Sequence, residues 1–324
     1  MTIRWGILST GTIARHFTQD LKLMPDADVV AVGSRSQEAA DRFATELAVP
    51  RAYGSWQALA DDPDVDVVYV ATPHSGHHAA TMTCLRAGRA VLVEKPFALD
   101  STQAEEMVEA ARTAGLFLME AMWMRFFPAV HAIAGLVADG AIGEVTAVHA
   151  DFGLSGDYPP THRLRARELG GGALLDLGVY PVTFAHLFLG PPDSIQAHAR
   201  LSSEGVDENT GLLFGYASGA MAALTCSLVG DSPRRAVVTG THGRIEVPRN
   251  FFRPTGYTLI RGEDAEQVEV PVDGWGYHYE AAEVHRCLAA GRTESDVVPL
   301  ADSLTIMATL DAVRERIGVT YDVT

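Results

Sequence analysis

The sequence predicts an α/β protein in two parts: an amino-terminal doubly wound parallel sheet over residues 1–120, then an α+β domain with a large, mostly antiparallel open sheet over residues 121–324. Three observations predict it. Up to Glu120 short β-rich runs alternate with helix-length periodic segments, which is the pattern of crossover units in a parallel sheet. Beyond that point strands cluster, and helices gather at the ends of the run. A chain of 324 residues also exceeds what one small core organises and suits about two domains of roughly 150 residues.

The elements follow in order. "IRWGIL" reads as a strand, then Ile13 to Leu23 as a helix; "DVVAVGS" precedes a helix over Gln37 to Leu47, and "RAY" at Arg51 is a short strand. "VDVVYVA" leads to a helix over His77 to Ala87, "AVLV" to a helix over Ser101 to Ala114, and "LFLME" closes a set of six strands, the number in a complete dinucleotide-binding sheet. The second part offers a helix over Pro128 to Ala138, the strand "EVTAVHADFG" and an apolar helical segment around Ala173 to Leu189. Alternating strands follow between Ile195 and Val270, and helices over Tyr277 to Ala290 and Leu300 to Ile317 close the chain.

Composition narrows the function classes. With 47% hydrophobic and 20% charged residues the chain reads as globular, and a formal net charge of −16 argues against broad binding to nucleic acid or acidic membranes, which needs clustered Lys and Arg. No apolar run is expected to span a bilayer, and "MTIRWGILST" reads as a strand rather than a signal-peptide core, so a cytoplasmic protein is expected. Cys84, Cys226 and Cys287 are widely spaced and read as reduced thiols packed as small hydrophobes.

Chemistry concentrates at strand ends. In "GILSTGTIA" a strand turns into a helix with Ser9, Gly11 and Ala14 at the three fingerprint glycine positions; Ser9, Gly11, Thr12 and Ile13 are candidate contacts to a pyrophosphate at the helix amino terminus. After the second strand, where Asp or Glu would hold a free ribose 2′-hydroxyl, stand Ser34 and Arg35. A hydroxyl beside a guanidinium fork suits a 2′-phosphate, which predicts NADP in preference to NAD. "TPHSGHH" supplies Thr72, His74 and His77 at another carboxyl strand end; the spacing matches no common ligand pattern, so no metal is expected and polar contacts to the nicotinamide ribose are. In "VLVEKP", Glu94 and Lys95 end a buried strand. A buried Lys needs a partner or a use, and Lys95 reads as the cation that favours a substrate alkoxide, with Glu94 beside it. In "GGGALLDLGVYPV", Asp176 and Tyr180 are four apart and share one face if that segment is helical, with a kink expected at Pro181. Moving a hydride to or from an alcohol carbon also moves a proton, and Tyr180 is the candidate to carry it.

With these motifs assembled, and with the late "GYHYEAAEV", the chain resembles the Gfo/Idh/MocA oxidoreductase family over essentially its full length. "LFLMEAMWMRFFPA" and "GGALLDLGVY" look nearest to the branch of dimeric dihydrodiol dehydrogenases and NADP-dependent D-xylose 1-dehydrogenases. The resemblance implies a catalytic Lys95, an often cis peptide before Pro96, and Tyr180 as acid/base in place of the His found in many members, with Asp176 beside it. It implies a substrate pocket that includes Trp123 and Phe152, with Arg163 and Tyr277 as further candidates, and a homodimer or homotetramer formed through the second domain's sheet. His74 departs from the Asn common at that position. The function implied is NADP-dependent hydride transfer at a hydroxyl or carbonyl carbon of a sugar, polyol or cyclic diol. Two alternatives stay open: a reductase of a nucleotide-linked keto sugar, for which the basic stretch is "HRLRAR", and a dinucleotide-binding sensor without turnover.

Overall fold

The structure is a computed structural model, and it describes residues 2–321. The chain forms two compact units: Met1–Trp123 with Val272–Leu304, and Met124–Pro271 with Thr305–Thr324. The single cut expected after residue 120 falls close to the first crossing but does not describe the return of Val272–Leu304 to the first unit.

The first unit is built on β1 (Ile3–Leu8), α1 (Thr12–Leu21), β2 (Ala27–Gly33), α2 (Gln37–Leu47), β3 (Arg51–Tyr53), α3 (Trp56–Ala60), β4 (Val67–Val70), α4 (His77–Arg86), β5 (Ala90–Glu94), α5 (Ser101–Ala114) and β6 (Leu118–Ala121). The one-turn helix α3 is too short to give a periodic signal in the sequence. Six parallel strands take the order β3-β2-β1-β4-β5-β6, so the order reverses between β1 and β4 and opens a crevice at the carboxyl ends of those strands. Strands β4, β5 and β6 are buried at every position, as helices on both faces require. Helix starts obey local chemistry: Ser36 Oγ accepts the Ala39 N–H at 3.3 Å, and Asp100 Oδ1 accepts the Gln103 N–H at 2.8 Å.

The returning segment is held by specific polar contacts. Asp20, buried at the end of α1, accepts the main-chain N–H of Trp275 at 3.0 Å and of Tyr277 at 2.8 Å. Trp5 in β1 donates from Nε1 to His285 Nε2 at 3.0 Å, which leaves the His285 proton on Nδ1, 3.1 Å from Asp26.

The second unit contains α6 (Pro128–Ala138), β7 (Val145–Gly153), α7 (Val179–Leu189), β8 (Ser194–Leu201), β9 (Asp207–Gly215), β10 (Met221–Ser227), β11 (Ala236–Gly240), β12 (Arg244–Val247), β13 (Gly256–Arg261) and β14 (Asp264–Glu269). Helix α8 (Tyr277–Ala289) belongs to the first unit, and α9 (Leu300–Ile317) begins there and continues in the second. The eight strands run β14-β13-β12-β11-β7-β10-β9-β8, and only β7 and β10 pair in parallel. Along β9 and β10 buried and exposed residues alternate, so one face of the sheet carries the core and the other is open.

The sequence expectation of no span-length apolar run needs correction. Arg167–Leu189 covers 23 residues, with an 18-residue window of mean hydropathy 1.4, long and apolar enough to cross a bilayer, but 78% of that window is buried inside the protein. The run is apolar because it is a core segment packed against β7 and β10.

Candidate functional site

In the first unit, the turn between β1 and α1 keeps the geometry of a dinucleotide fingerprint despite its substitution. Ser9 adopts φ 140°, a region that favours glycine and costs a side chain roughly 1–3 kcal/mol. Its hydroxyl accepts the Gly11 N–H at 3.3 Å, and Gly11 in turn caps α1. A Cβ on Gly11 would meet only Ser9 Oγ, at 3.6 Å, so the protein leaves that side of the helix start open. Thr12 is exposed and Ile13 partly so. An open helix amino terminus with free N–H groups suits the pyrophosphate of a dinucleotide.

At the end of β2, the Ser34 N–H donates to Tyr53 O at 3.0 Å, fixing the loop, and the Arg35 side chain projects into solvent. Arg35 joins no ion pair among the described residues, although acidic residues outnumber basic ones 41 to 25. After β4, Thr72 is buried and its hydroxyl lacks any hydrogen-bond partner among the described residues. A buried orphan hydroxyl at a carboxyl strand end is the feature a bound ribose or amide would satisfy. These residues therefore fit a phosphorylated dinucleotide. His74 is buried one step further on.

His77 takes a different post from the one expected. It is completely buried, with Nδ1 2.8 Å from Pro96 O and Nε2 2.9 Å from Thr72 O. Burial, then the neighbouring His74, pushes its pKa down to about 3, and the neutral ring carries one N–H, which donates to one of these two carbonyls. It ties the loop after β4 to the loop after β5 and presents no nitrogen to a cofactor. Among the described residues no group of three or more His, Cys, Asp or Glu is arranged to hold a metal ion.

The Lys95–Pro96 peptide is cis and Lys95 is half-buried. Glu94 is buried; it accepts the Tyr69 hydroxyl and, at 3.2 Å, the Lys95 main-chain N–H. Two further carboxyls share this interior. Glu120 in β6 accepts Ser303 Oγ at 2.6 Å, and burial raises its pKa to about 7. Glu280 in α8 is fully buried, with neither oxygen hydrogen-bonded among the described residues; burial, then the nearby Glu94, pushes its pKa well above the usual carboxyl range and favours its protonated form. Sequence reasoning missed Glu280. The signal was there, a carboxyl on the apolar stripe of Tyr277, Ala281 and Val284. Trp123 and Tyr277 stack with centroids 4.4 Å apart and planes 11° from parallel.

In the second unit, Leu174–Gly178 forms a single wide π turn that runs into α7 at Val179. The sequence expectation of one regular helix with a kink after Tyr180 is thereby corrected: the irregularity precedes Tyr180. Pro181 lacks the N–H that would bond four residues back to Leu177, and a wider turn ahead of it accommodates the gap. Asp176, on this turn, is buried and accepts Arg163 Nη1 at 2.9 Å. Tyr180 is buried, its ring centroid 5.5 Å from Phe152 and 5.4 Å from Phe252, and those two rings stack at 4.2 Å and 6°. Phe252 was not singled out from the sequence, because "FFRP" gives no periodic signal. The other arginines of "HRLRAR" are engaged internally: Arg165 with Glu204 at 2.6 Å, and Arg167 with Thr320 at 2.9 Å.

Comparison with known proteins accords with these two halves. Residues 3–122 match the oxidoreductase family with an NAD-binding Rossmann fold, and residues 130–246 match the Gfo/Idh/MocA carboxyl-terminal domain. The chain is 40% identical to the trans-1,2-dihydrobenzene-1,2-diol dehydrogenase of Mus musculus over 333 residues, covering 99% of this chain and 98% of the relative. The Homo sapiens protein of the same name is 40% identical over 332 residues, with the same coverage. Among solved structures, the 3-ketoreductase KijD10 from Actinomadura kijaniata, in complex with NADP and TDP-benzene, superimposes with a TM-score of 0.87 at 30% identity over 98% of both chains. The aldose-aldose oxidoreductase from Caulobacter crescentus, complexed with glycerol, gives 0.88 at 26% identity over 98% of this chain and 97% of its own. A dinucleotide turn on the first sheet, an EKP motif with a cis proline, and matches to both domains and to relatives along nearly the whole chain have one reading: the protein belongs to the Gfo/Idh/MocA family of oxidoreductases.

Proposed function

We propose that this chain is an NADP-dependent dehydrogenase or reductase acting at a hydroxyl or carbonyl carbon of a sugar, polyol or cyclic diol. The observation that carries the reading is the placing of Tyr180, a buried phenol flanked by the stacked Phe152 and Phe252 rings on the segment that holds the Arg163–Asp176 pair. The names of the relatives, dihydrodiol dehydrogenases and an aldose-aldose oxidoreductase, support the substrate class.

Ser9, Gly11, Thr12 and Ile13 would hold the pyrophosphate, Ser34 and Arg35 the 2′-phosphate, and Thr72 and His74 the nicotinamide ribose; NADP bound there supplies or accepts the hydride. In the reducing direction the carbonyl carbon gains the hydride and the carbonyl oxygen gains the Tyr180 phenolic proton; oxidation reverses both transfers. Lys95 is assigned the electrostatic part, favouring negative charge on the reacting oxygen, with the Glu94 carboxylate beside its main chain. Asp176, oriented by Arg163, would hold a second substrate hydroxyl, and aromatic faces around Tyr180 suit the apolar face of a ring. Trp123 and Tyr277 are further candidate pocket walls.

The nucleotide-linked keto sugar reading draws support from the TDP-benzene bound by KijD10. Against it, Arg163, Arg165 and Arg167 are all engaged by this chain's own groups, which leaves "HRLRAR" poorly suited to a diphosphate. We further infer a homodimer or homotetramer through the open sheet face, where Leu213 and Met221 are 41% and 53% exposed, and a reducing cytoplasmic location that suits three buried free thiols. Sedimentation of Met221→Lys against the parent protein tests the assembly.

The decisive experiment is Tyr180→Phe, assayed by nicotinamide absorbance against a panel of sugars, polyols and trans-diols. The variant should bind NADPH as the parent does and lose ~100-fold or more in turnover. Full turnover would remove Tyr180 from its role.

A further inference from the structure

We propose that Asp207 is a positioning residue for the π turn that carries Asp176 into Tyr180; the inference rests on the reading of Tyr180 as the proton carrier. Asp207 opens β9 and is completely buried. Its Oδ2 accepts the Leu174 main-chain N–H at 2.8 Å and the Thr210 hydroxyl at 2.6 Å. Leu174 is the first residue of the π turn, whose leading N–H groups have no partner within the helix. A carboxyl group reaching across from a strand thus does for this turn what a neighbouring Ser or Asp does for an ordinary helix.

The same carboxyl group fixes the approach to the turn. Gly172 has φ +126°, and a Cβ there would lie 2.5 Å from Asp207 Oδ1, so the chain passes against the carboxyl group only because position 172 is glycine. One residue earlier, the Tyr321 hydroxyl donates to Gly171 O at 2.6 Å. At the far end of the turn a Cβ on Gly178 would come within 2.9 Å of Cys226 Sγ in β10, so the turn is seated on the sheet there as well. The segment is braced before, at and after the wide turn, and Asp207 supplies the only main-chain hydrogen bond among these that reaches into the turn itself. Without it the turn is free to relax toward ordinary α geometry, which alters the rotation per residue and swings both Asp176 and Tyr180 about the helix axis. Small displacements of a reacting group are costly to turnover and need not affect cofactor binding.

The test compares Asp207→Ala with Asp207→Asn, whose amide oxygen can still accept from both Leu174 and Thr210. Asp207→Ala should lower kcat about tenfold or more while the NADPH Kd stays within about threefold, and Asp207→Asn should recover most of the loss. Fluorotyrosine at position 180 gives a readout independent of turnover: its fluorine resonance should move in Asp207→Ala and return in Asp207→Asn. Thr210→Val, which removes one donor and keeps the carboxyl group, serves if the alanine variant does not fold, and should shift the same resonance by less. An unmoved resonance with unchanged kcat per folded molecule overturns the proposal. A moved resonance with full activity in Tyr180→Phe instead overturns the acid–base reading and leaves the positioning role standing.

Discussion

Arg163 Nη1 lies 2.9 Å from Asp176 Oδ1, and the two side chains are unequal in their surroundings, Asp176 at 7% exposure and Arg163 at 47%. The half-exposed arginine therefore serves the buried acid more than the fold as a whole. Replacing Arg163 by Ala should cost about 1–3 kcal/mol of stability, because the arginine reaches solvent but the acid it leaves behind is buried. It should lower kcat/KM about tenfold or more, because the acid loses its orienting cation. Thermal denaturation and steady-state kinetics on the same preparation separate the two effects; equal losses in stability and no change in kcat/KM would make the pair purely structural.

Arg35 stands exposed beside Ser34, outside the chain's described ion pairs. Arg35→Asp replaces a guanidinium fork suited to phosphate with a charge that repels phosphate and suits a ribose hydroxyl. NADP affinity should fall by about 100-fold while NAD affinity changes by a few-fold at most. Fluorescence titration of both dinucleotides against both proteins checks this, and parallel losses would move the 2′-phosphate elsewhere.

Glu120 makes stability depend on pH in a definite direction. Burial raises its pKa from 4.5 to about 7, so between those values the folded protein holds a proton that the unfolded chain has released. This contribution is fully present below about pH 4.5 and is lost as pH rises to about 7, a change of about 3 kcal/mol. Glu120→Gln mimics the protonated form. It should match the parent near pH 4.5 and be more stable by about that amount above pH 8, as read from denaturant midpoints at the two pH values. A parent whose excess stability loss with rising pH survives the substitution would place the titration on another group, with Glu280 the next to examine.

The sheet of the first unit was legible because its strands are short continuous apolar runs between helix-length segments, and that alternation is a local property of the chain. Candidate site residues stood out in the sequence for a related reason: Gly11, Arg35 and Lys95 at strand ends and Tyr180 on an apolar helical segment are unusual choices where apolar residues or other turns would serve. What escaped was whatever depends on partners distant in sequence. Nothing near His77 in the chain announces that both its nitrogens face carbonyls, one of them on Pro96. Phe252 joins Phe152 across 100 residues and Tyr180 across 72, and Asp207 reaches Leu174 across 33.

By itself, then, the sequence determined the order of elements, the parallel and antiparallel character of the two sheets and the kind of cofactor, because hydrophobic periodicity and charge are written residue by residue. Tertiary structure alone decided that the segment after residue 271 returns to the first unit, that the turn before Tyr180 is wide, and that Glu280 is stripped of water near Glu94, which raises its pKa. Each of those depends on which groups are brought together and stripped of water, and burial and pairing are properties of the folded chain rather than of any stretch of it.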